Sequence, residues 1–412
     1  MFHFNRLYID PGTGSMLFSI LVGAAATLYF LIRALVIKLK VVLSGGRSAG
    51  PSVSHQYVIY NEGKQYCNVF KPILQEFENR QIQVSYLTSA KDDPVFESGY
   101  MFIKPEFIGE GNRAFARLNI LSADVVLMTT PGLNIYQLKR SKLVKHYSHI
   151  LHAPSDATMY RLFGIDYFDS ILLTGDYQAR DIRTLEELRN LPQKQLVTVG
   201  CTYLDVLYEK MKTIEKDEQH PFTVLISPSW GPSSLLSKYG AKLLDPLIKT
   251  GWRIIVRPHP QSKKSENTIL EKLEERYNDT KNLEWDYSPE NIYSLLKSDI
   301  MISDFSGIIY DYLFLCDKPV IYVRQGFDLR PYDADDLGEN ASSELWQFKT
   351  LNETGVELKE EHFDSISDVI RNTADSTELK AARQYAKNTA WMYKGESGKK
   401  AVDFLVHIAK ND

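Results

Sequence analysis

The segment Ile300–Gly307 reads IMISDFSG, in which an apolar run, Ile300–Ile302, leads directly into small and polar residues. A short apolar run that ends in Ser, Asp and Gly is typical of a buried strand followed by a loop. The residues after the loop predict a helix that contains Asp311 and Tyr312. The segment therefore predicts a strand, a tight loop and a helix start, the unit from which α/β proteins are built.

The same alternation of strands and helices extends in both directions from this segment. Strands are predicted at Tyr57–Tyr60, Ile82–Leu87, Asp124–Met128, Ser148–Leu151, Ser170–Leu173, Leu196–Val199, Thr223–Ser227, Arg253–Arg257, Ile300–Ser303 and Val320–Val323. Helices are predicted at Val69–Asn79, Gln178–Glu187, Ser234–Thr250, Thr268–Tyr277, Pro289–Lys297 and Glu378–Ile408, the last broken at Gly395–Gly398. The charged segment Glu209–Pro221 interrupts the pattern, which predicts two Rossmann-like α/β domains with a cleft between them.

The predicted organisation has six parts. Residues 1–43 form an N-terminal segment with a membrane helix, and residues 44–54, rich in Gly and Ser, form a flexible linker. The first α/β domain spans residues 55–208, a linker spans 209–221, and the second α/β domain spans 222–390. Residues 391–412 form a C-terminal helix.

Composition narrows the class of protein. The 412 residues carry a formal net charge of -4, so there is no general basic excess that would favour nucleic-acid binding. The three cysteines, Cys67, Cys201 and Cys316, are scattered and form no CxxC pair. This pattern argues against a disulfide scaffold or a zinc site and fits a reducing compartment.

The apolar run at residues 16–39 predicts one transmembrane helix, because about 17–25 apolar residues suffice to cross a bilayer. The alternative, a cleavable signal peptide, predicts a basic start and a shorter apolar core. The positive charges near the run lie mostly at its C-terminal end or after it: Arg33, Lys38, Lys40 and Arg47, against Arg6 before it. We therefore expect a single-pass protein of the inner (plasma) membrane with both α/β domains in the cytoplasm.

Ligands of open parallel sheets bind beyond the carboxyl ends of the strands, so the loops there hold the candidate site residues. His152 follows a predicted strand of the first domain and is a candidate general base; the alternative is a histidine that only bonds a turn. In the second domain, Arg257 and His259 stand in a turn stiffened by two prolines, and both side chains donate to phosphate oxygens. The alternative for this turn is a proline-stiffened surface loop.

The loop after Ile300–Ile302 suits a diphosphate. Ser306 and Gly307 open the following helix, where free backbone N–H groups attract anions, and Ser303 offers a hydroxyl. Asp304 is expected to cap the helix or to accept from a hydroxyl, because its charge would repel phosphate. An ordinary helix cap is the alternative for the whole loop.

Two weaker features complete the candidates. Ser229 and Trp230, after the predicted strand Thr223–Ser227, are placed to contact a ligand or to lie in a capped loop. The acidic stretch at residues 333–336 resembles a metal-binding pattern only superficially, because it lies in a polar loop.

With these motifs in order, the chain resembles the CDP-glycerol:glycerophosphate glycerophosphotransferase family, the wall teichoic acid primases and polymerases. The resemblance runs from about residue 145 to 410, and more loosely from 55 to 145. It rests on these segments: His152 with Pro154 and Ser155, Gly200–Asp205, Ser227–Trp230, His259-Pro260, Ser303–Ser306 with Asp311, Lys318–Val320, and Gly395–Asp403.

The resemblance implies a GT-B fold, an inverting transfer with no cofactor and no essential metal, and a last helix that crosses back to the first domain. It assigns the acceptor to the first domain, with His152 as the base, and the CDP donor to the second. The implied donor-binding residues are Arg257, His259, Ser303, Asp304, Ser306, Gly307, Asp311, Ser229 and Trp230.

The expected reaction is transfer of a polyol phosphate, in the first place glycerol phosphate, to a hydroxyl of a lipid-linked or polymeric acceptor, with release of CMP. The expected partners are CDP-glycerol or a related CDP-polyol, the acceptor and the membrane, and no nucleic acid. The sequence departs from the family pattern at Ala153, Gly231 and Gly307. Two alternatives stay open: a GT-B glycosyltransferase that uses a nucleotide sugar, and a non-catalytic membrane scaffold with the same fold.

Overall fold

The computed structural model of the chain describes residues 22–25, 27–33, 35, 54–215, 219–324, 328–338 and 344–411. The chain divides into two units, residues 1–53 and 54–412. In the first unit the described residues are helical, and apolar side chains such as Leu28 and Phe30 are exposed. No described helix combines the length and the apolar character that crossing a membrane requires. Much of the predicted membrane helix, residues 16–39, lies outside the described residues.

Two parallel sheets form the centre of the second unit. In the described part of the chain, the first sheet has seven strands in the order β3-β2-β1-β4-β5-β6-β7. Its strands are β1 His55–Asn61, β2 Val84–Thr88, β3 Ile103–Phe107, β4 Ser122–Met128, β5 Leu143–Ile150, β6 Ser170–Leu173 and β7 Gln195–Thr198. The first strand, β1, thus lies in the middle of the sheet. Strands β2 and β3 extend the sheet on one side and β4 to β7 extend it on the other, as in a Rossmann domain.

The second sheet repeats this topology. Its six described strands follow the order β10-β9-β8-β11-β12-β13, all parallel. Their bounds are β8 Thr223–Ile226, β9 Arg253–Val256, β10 Leu283–Trp285, β11 Ile300–Ser303, β12 Val320–Tyr322 and β13 Gly355–Glu357. The carboxyl ends of β8 and β11, its two central strands, carry the loops that the sequence marks as candidate site.

Helices cover both faces of the sheets, because parallel strands are joined by crossovers that need a helix. The α-helices of the second unit that are described are Cys67–Asn79, Asn112–Leu118, Gln178–Leu188, Thr202–Lys212, Leu235–Lys238, Ala241–Lys249, Ser262–Ser265, Asn267–Arg276, Ile292–Lys297, Ile308–Asp311, Trp346–Thr354, Ile366–Ala374, Thr377–Ala390 and Ser397–Asn411. The predicted single helix at Ser234–Thr250 is two helices, because Gly240 between them has a left-handed φ of 40°.

The last helix, Ser397–Asn411, belongs to the core of the first sheet. Its apolar face, which includes Val402 and Leu405, is buried with the helix Cys67–Asn79 and with strands β1 and β4. The backbones of the two helices approach closely at Gly398, where an added Cβ would lie 2.5 Å from the carbonyl oxygen of Pro72. The glycine therefore allows the close approach of the two helices.

Buried carboxylates join the two sheets at three places. Asp205 accepts from the indole Nε1 of Trp391 at 2.7 Å and from the backbone N–H of Gly395 at 2.8 Å, and Ser397 also donates to it. Asp156 accepts from two backbone N–H groups at the start of the helix Trp346–Thr354.

The third junction is an ion cluster around Arg189. This side chain is only 10% exposed and forms ion pairs with Asp166, Asp333 and Asp336 at 2.6–2.8 Å. Two acidic residues of the stretch at 333–336 thus serve an interdomain contact. Buried ion pairs of this kind fix one arrangement of the two halves, since breaking one leaves a buried charge unpaired.

The packing at Gly398 yields a stability test. The Gly398→Ala variant should lose about 1–3 kcal/mol of unfolding free energy, because the added methyl overlaps the Pro72 carbonyl. In a helix without this contact the same change stabilises by up to about 1 kcal/mol, so the sign of the effect is diagnostic. Denaturant unfolding measures it, with the exposed neighbour Lys399→Ala as control. A variant as stable as the wild type would contradict the described packing.

Candidate functional site

A cavity of about 1180 Å³ lies between the carboxyl ends of the two sheets. One wall comes from the helix Cys67–Asn79 and the turn before it, and a second comes from the helix Thr202–Lys212. The facing wall consists of the loops after β8 and β9, the start of the helix Ile308–Asp311 and the segment around Asn291. A cavity of this size holds a nucleotide and a second substrate together.

The helix that follows β11 begins at the cavity. Ser306, Gly307 and Ile308 line it, and the first bonds inside the helix run from Ile309 N–H to Ser306 and from Tyr310 N–H to Gly307. In a helix the backbone N–H groups before these bonds have no helical acceptor, so they are available to an anion. The structure thus brings the predicted residues Ser306 and Gly307 to the cavity.

His259 faces the same space from the loop after β9. Its Nδ1 accepts from the backbone N–H of Gln261 at 3.1 Å, so in the neutral ring the proton sits on Nε2. Burial lowers the pKa of His259, which outweighs the opposite effects of the Glu266 and Asp304 carboxylates. His259 is therefore a neutral hydrogen-bond donor through Nε2 near pH 7, which suits a phosphate oxygen.

Arg257 lines the cavity, but its guanidinium is already bound. It donates through Nη1 to Asp286 at 2.5 Å and through Nη2 to the carbonyl of Ser288 at 2.7 Å. Burial raises the pKa of Asp286, but hydrogen bonds from Ser288, Ser294 and Arg257 more than offset this and lower it to about 2, so the pair stays charged. Two of its three nitrogens thus hold the loop that begins at Asp286, and the expected contact of Arg257 with the donor phosphate stays a prediction.

Ser303 and Asp304 do not face the cavity. Ser303 is fully buried, and its hydroxyl donates to the carbonyl of Ser227 at 2.6 Å. Asp304 accepts from the backbone N–H groups of Ser229, Leu235 and Phe305 at 2.7–2.8 Å. The expectation that these two side chains contact the CDP donor directly is wrong, because both of them bind the loop after β8 to the end of β11. Asp304 does cap a helix, but the one that starts at Leu235.

Ser229 and Trp230 have different surroundings in this loop. Ser229 is buried and does not line the cavity, so its expected contact with a donor is also corrected. Trp230 is 50% exposed, and its ring lies 6.4 Å from the His259 ring, beside the cavity. Its donor-binding role stays a prediction.

Asp311 is buried behind the cavity. Its Oδ2 accepts from the hydroxyl of Tyr203 at 3.0 Å, and both Tyr203 and Asn291 line the cavity while Asp311 does not. Burial raises the pKa of Asp311 to about 7, although hydrogen bonds from Tyr203 and Asn291 act in the opposite direction. The expected direct contact between Asp311 and the CDP donor is corrected. Asp311 instead forms hydrogen bonds with Tyr203 and Asn291, which face the cavity.

The wall formed by the helix Cys67–Asn79 was not predicted as part of the site. Polar side chains line it at the spacing of one helix face: Asn68, Lys71 and Gln75, with Gln65 just before the helix. The periodicity is visible in the sequence, but a polar face is typical of any surface helix. Only the position of the opposite sheet shows that this face borders a cavity.

His152 follows β5 at the same edge of the first sheet, but it does not line the cavity. It is partly exposed, and its ring packs edge-on against Tyr66 at 5.2 Å, next to the cavity-lining Gln65. Its Nδ1 bonds the hydroxyls of Tyr160 at 3.1 Å and Thr129 at 3.3 Å. Burial lowers its pKa to about 4, so the ring is neutral near pH 7.

No group of three or more metal-ligating side chains is present among the residues that the structure describes. In the acidic stretch at residues 333–336, the carboxylates of Asp333 and Asp336 instead bind Arg189.

A known protein family has a sequence pattern that matches the part of the chain with the cavity-lining loops of the second sheet. The sequence pattern of the CDP-Glycerol:Poly(glycerophosphate) glycerophosphotransferase family matches residues 178–386, half of the chain. The chain belongs to this family. It is therefore a CDP-glycerol glycerophosphotransferase-like enzyme. The family match includes the loops with His259 and Ser306, but it begins after His152.

Solved structures show the same fold at low sequence identity. The wall teichoic acid polymerase TagF is 13% identical with a TM-score of 0.52, over 86% of this chain and 89% of that one. The UDP-GlcNAc 2-epimerase of Methanocaldococcus jannaschii is 13% identical with a TM-score of 0.55, over 85% and 99%. The expected GT-B-like fold of two parallel sheets is thus confirmed for residues 54–412. No curated protein sequence matches the chain.

The raised pKa of Asp311 yields a pH test. The folded protein keeps this carboxyl protonated up to about pH 7, whereas the unfolded chain releases the proton near pH 3.8. The stability that the neutral carboxyl provides is complete below pH 3.8 and is lost as the pH rises through 7. Between pH 5 and 7, this group should therefore lower the unfolding free energy of the wild type by about 2 kcal/mol. The Asp311→Asn variant should not show this decrease.

Denaturant unfolding at several pH values measures this difference, and the exposed Asp279→Asn is the matched control. Since Asp311 does not line the cavity, the Asn variant should also bind CDP within about threefold of the wild type. Equal pH slopes in wild type and variant would contradict a neutral Asp311.

Proposed function

We propose that the chain transfers glycerophosphate from CDP-glycerol to a hydroxyl of a lipid-linked or polymeric polyol-phosphate acceptor, with release of CMP. One observation carries the proposal: the segment that matches the family places a helix start and His259 in a cavity large enough for both substrates. The acceptor hydroxyl oxygen forms a bond to the β-phosphorus, the bond from that phosphorus to CMP breaks, and the hydroxyl proton goes to a base.

The donor diphosphate is proposed to lie against the start of the helix Ile308–Asp311. The N–H groups at Ser306–Ile308, which have no helical acceptor, and Nε2–H of His259 belong to residues that line the cavity, and we propose that they stabilise the charge that develops on the departing CMP phosphate. These neutral donors and the helix dipole supply the electrostatic stabilisation, so we propose that no metal ion is essential. Trp230, beside His259, is the side chain best placed to contact the glycerol or the nucleotide.

We retain His152 as the proposed base. It stands at the carboxyl end of β5, in the middle of the first sheet, and its low pKa keeps it unprotonated near pH 7. Its Nε2 has no hydrogen-bond partner among the described residues. For the reaction the acceptor hydroxyl has to reach this nitrogen beside Tyr66, which packs on the ring.

The acceptor is proposed to lie along the polar face of the helix Cys67–Asn79. Asn68 and Gln75, the ends of this face, are seven positions apart, or about 10 Å along the helix. Lys71 is exposed, and it forms no ion pair with a described residue. A lone ammonium between amide side chains fits a phosphate flanked by polyol hydroxyls.

Membrane attachment is part of the proposal. The apolar run at residues 16–39, followed by basic residues, would anchor the chain in the plasma membrane with the cavity in the cytoplasm. An anchored enzyme meets a lipid-linked acceptor at the membrane surface, where both are confined to the same layer.

The base is tested by His152→Ala. We expect kcat for CMP release from CDP-glycerol and a glycerophosphate acceptor to fall by about 10²–10⁴, since this is the usual contribution of a general base. Affinity for CDP, measured by calorimetry, should stay unchanged. Wild-type turnover by the folded variant would remove His152 from the mechanism. Equal turnover of UDP-sugars and CDP-glycerol by the wild type would favour a glycosyltransferase instead.

The acceptor wall is tested by Lys71→Gln. Loss of one charged hydrogen bond to phosphate should raise KM for a phosphate-bearing acceptor about tenfold and leave KM for CDP-glycerol unchanged. Lys104→Gln, an exposed lysine on the edge strand β3, is the matched control. An unchanged acceptor KM in the Lys71 variant would place the acceptor elsewhere.

A further inference from the structure

Two side chains, Tyr160 and His149, form a hydrogen-bonded chain with His152. The hydroxyl of Tyr160 lies 3.1 Å from Nδ1 of His152 and 3.1 Å from Nε2 of His149. His149 is fully buried on β5, and its other nitrogen, Nδ1, has no hydrogen-bond partner among the described residues. Burial raises the pKa of Tyr160 and lowers the pKa of His149, so the hydroxyl keeps its proton and the ring stays neutral.

When the Tyr160 hydroxyl bonds both histidine rings, these three neutral groups have two proton arrangements. In one, Tyr160 donates to His149 and accepts from Nδ1–H of His152, which leaves a lone pair on Nε2 of His152. In the other, His149 donates to Tyr160, Tyr160 donates to His152, and Nε2 of His152 carries the proton. Only the first arrangement makes His152 a proton acceptor at the nitrogen that has no protein partner.

The surroundings of His149 favour the first arrangement. In the first arrangement, Nδ1 of His149 carries the proton. In the second arrangement, Nδ1 of His149 has a lone pair and no proton. The ring of Phe168 packs on the His149 ring with a centroid distance of 4.9 Å. Among the described residues no hydroxyl or N–H lies within hydrogen-bond distance of Nδ1, so no neighbour can donate a proton to a lone pair there, whereas an aromatic ring can accept weakly from an N–H. Thr129, 3.3 Å from Nδ1 of His152, is a second oxygen that can accept from this N–H.

We propose that His149, acting through the Tyr160 hydroxyl, holds the proton of His152 on Nδ1 and thereby makes Nε2 the base of the reaction. His149 and Tyr160 are positioning residues, since they act on the reaction only through His152. The proposal rests on the proposed function only for its catalytic consequence. The proton arrangement itself is a property of the free protein.

The test therefore begins with ¹⁵N NMR of the histidine-labelled full-length protein at pH 7, without substrate. The signals of His152 are assigned by their loss in His152→Gln. We expect a protonated-type shift at Nδ1 and an unprotonated-type shift at Nε2. In His149→Phe, which removes the acceptor of the Tyr160 proton, the proton should move to Nε2. In His149→Gln, whose amide oxygen can still accept, it should stay on Nδ1.

Kinetics supply the second readout. With CDP-glycerol and a glycerophosphate acceptor, kcat should fall at least tenfold in His149→Phe and in Tyr160→Phe with KM unchanged. It should recover to within threefold of the wild type in His149→Gln. Tyr167→Phe, an exposed tyrosine of the same segment, is the matched control.

The outcomes separate the two proposals. A proton on Nε2 of His152 in the wild type, or a proton that stays on Nδ1 in His149→Phe, overturns the inference whatever the activity is. The expected NMR result without any transfer from CDP-glycerol supports the proton arrangement and refutes the proposed function.

Discussion

The cavity depends on one buried carboxylate and the chain that crosses to it. Asp205, at the start of the helix after β7, accepts hydrogen bonds from Trp391, Gly395 and Ser397. These bonds hold the turn at which the chain leaves the second sheet, so the last helix can pack into the core of the first. Gly200 allows this contact, because a Cβ there would lie 2.3 Å from the carbonyl of Met392. With the crossing fixed, the carboxyl ends of both sheets face each other across a defined space, and the loops on them become one site.

Polar residues of the site divide into those that face the cavity and those that hold the loops in place. Asp304 is the clearest of the second kind, since three backbone N–H groups from two loops converge on its carboxylate. The buried pair of Arg257 and Asp286 has the same effect on the neighbouring loops. On the side of the second sheet, a site built in this way presents neutral donors, the helix start at Ser306 and Nε2–H of His259, while the charged groups of Arg257, Asp286 and Asp304 bind loop residues. Preorganised neutral donors suit a reaction in which negative charge moves from one phosphate oxygen to another.

The central strands of both sheets could be predicted from the sequence, because buried parallel strands read as continuous apolar runs. Three of the four described edge strands could not: β3 contains Lys104 and Pro105, and β10 and β13 have three residues each. At the site, the sequence identified the loops that border the cavity but not the direction of every side chain. Ser303 and Ser306 are alike in type and three residues apart, yet only Ser306 lines the cavity, because the carbonyl of Ser227 holds the Ser303 hydroxyl inside. Such choices depend on partners far away in the sequence.

The central claim is that donor and acceptor meet between the helix Cys67–Asn79 and the loops of the second sheet. Hydrogen–deuterium exchange of the full-length protein, with and without CDP-glycerol, measures this most directly. We expect CDP-glycerol to slow exchange at Arg257–Pro260 and at Phe305–Ile309. Addition of a glycerophosphate acceptor should further slow exchange at Gln65–Gln75. Protection confined to other strand ends, or none at saturating CDP-glycerol, would contradict it.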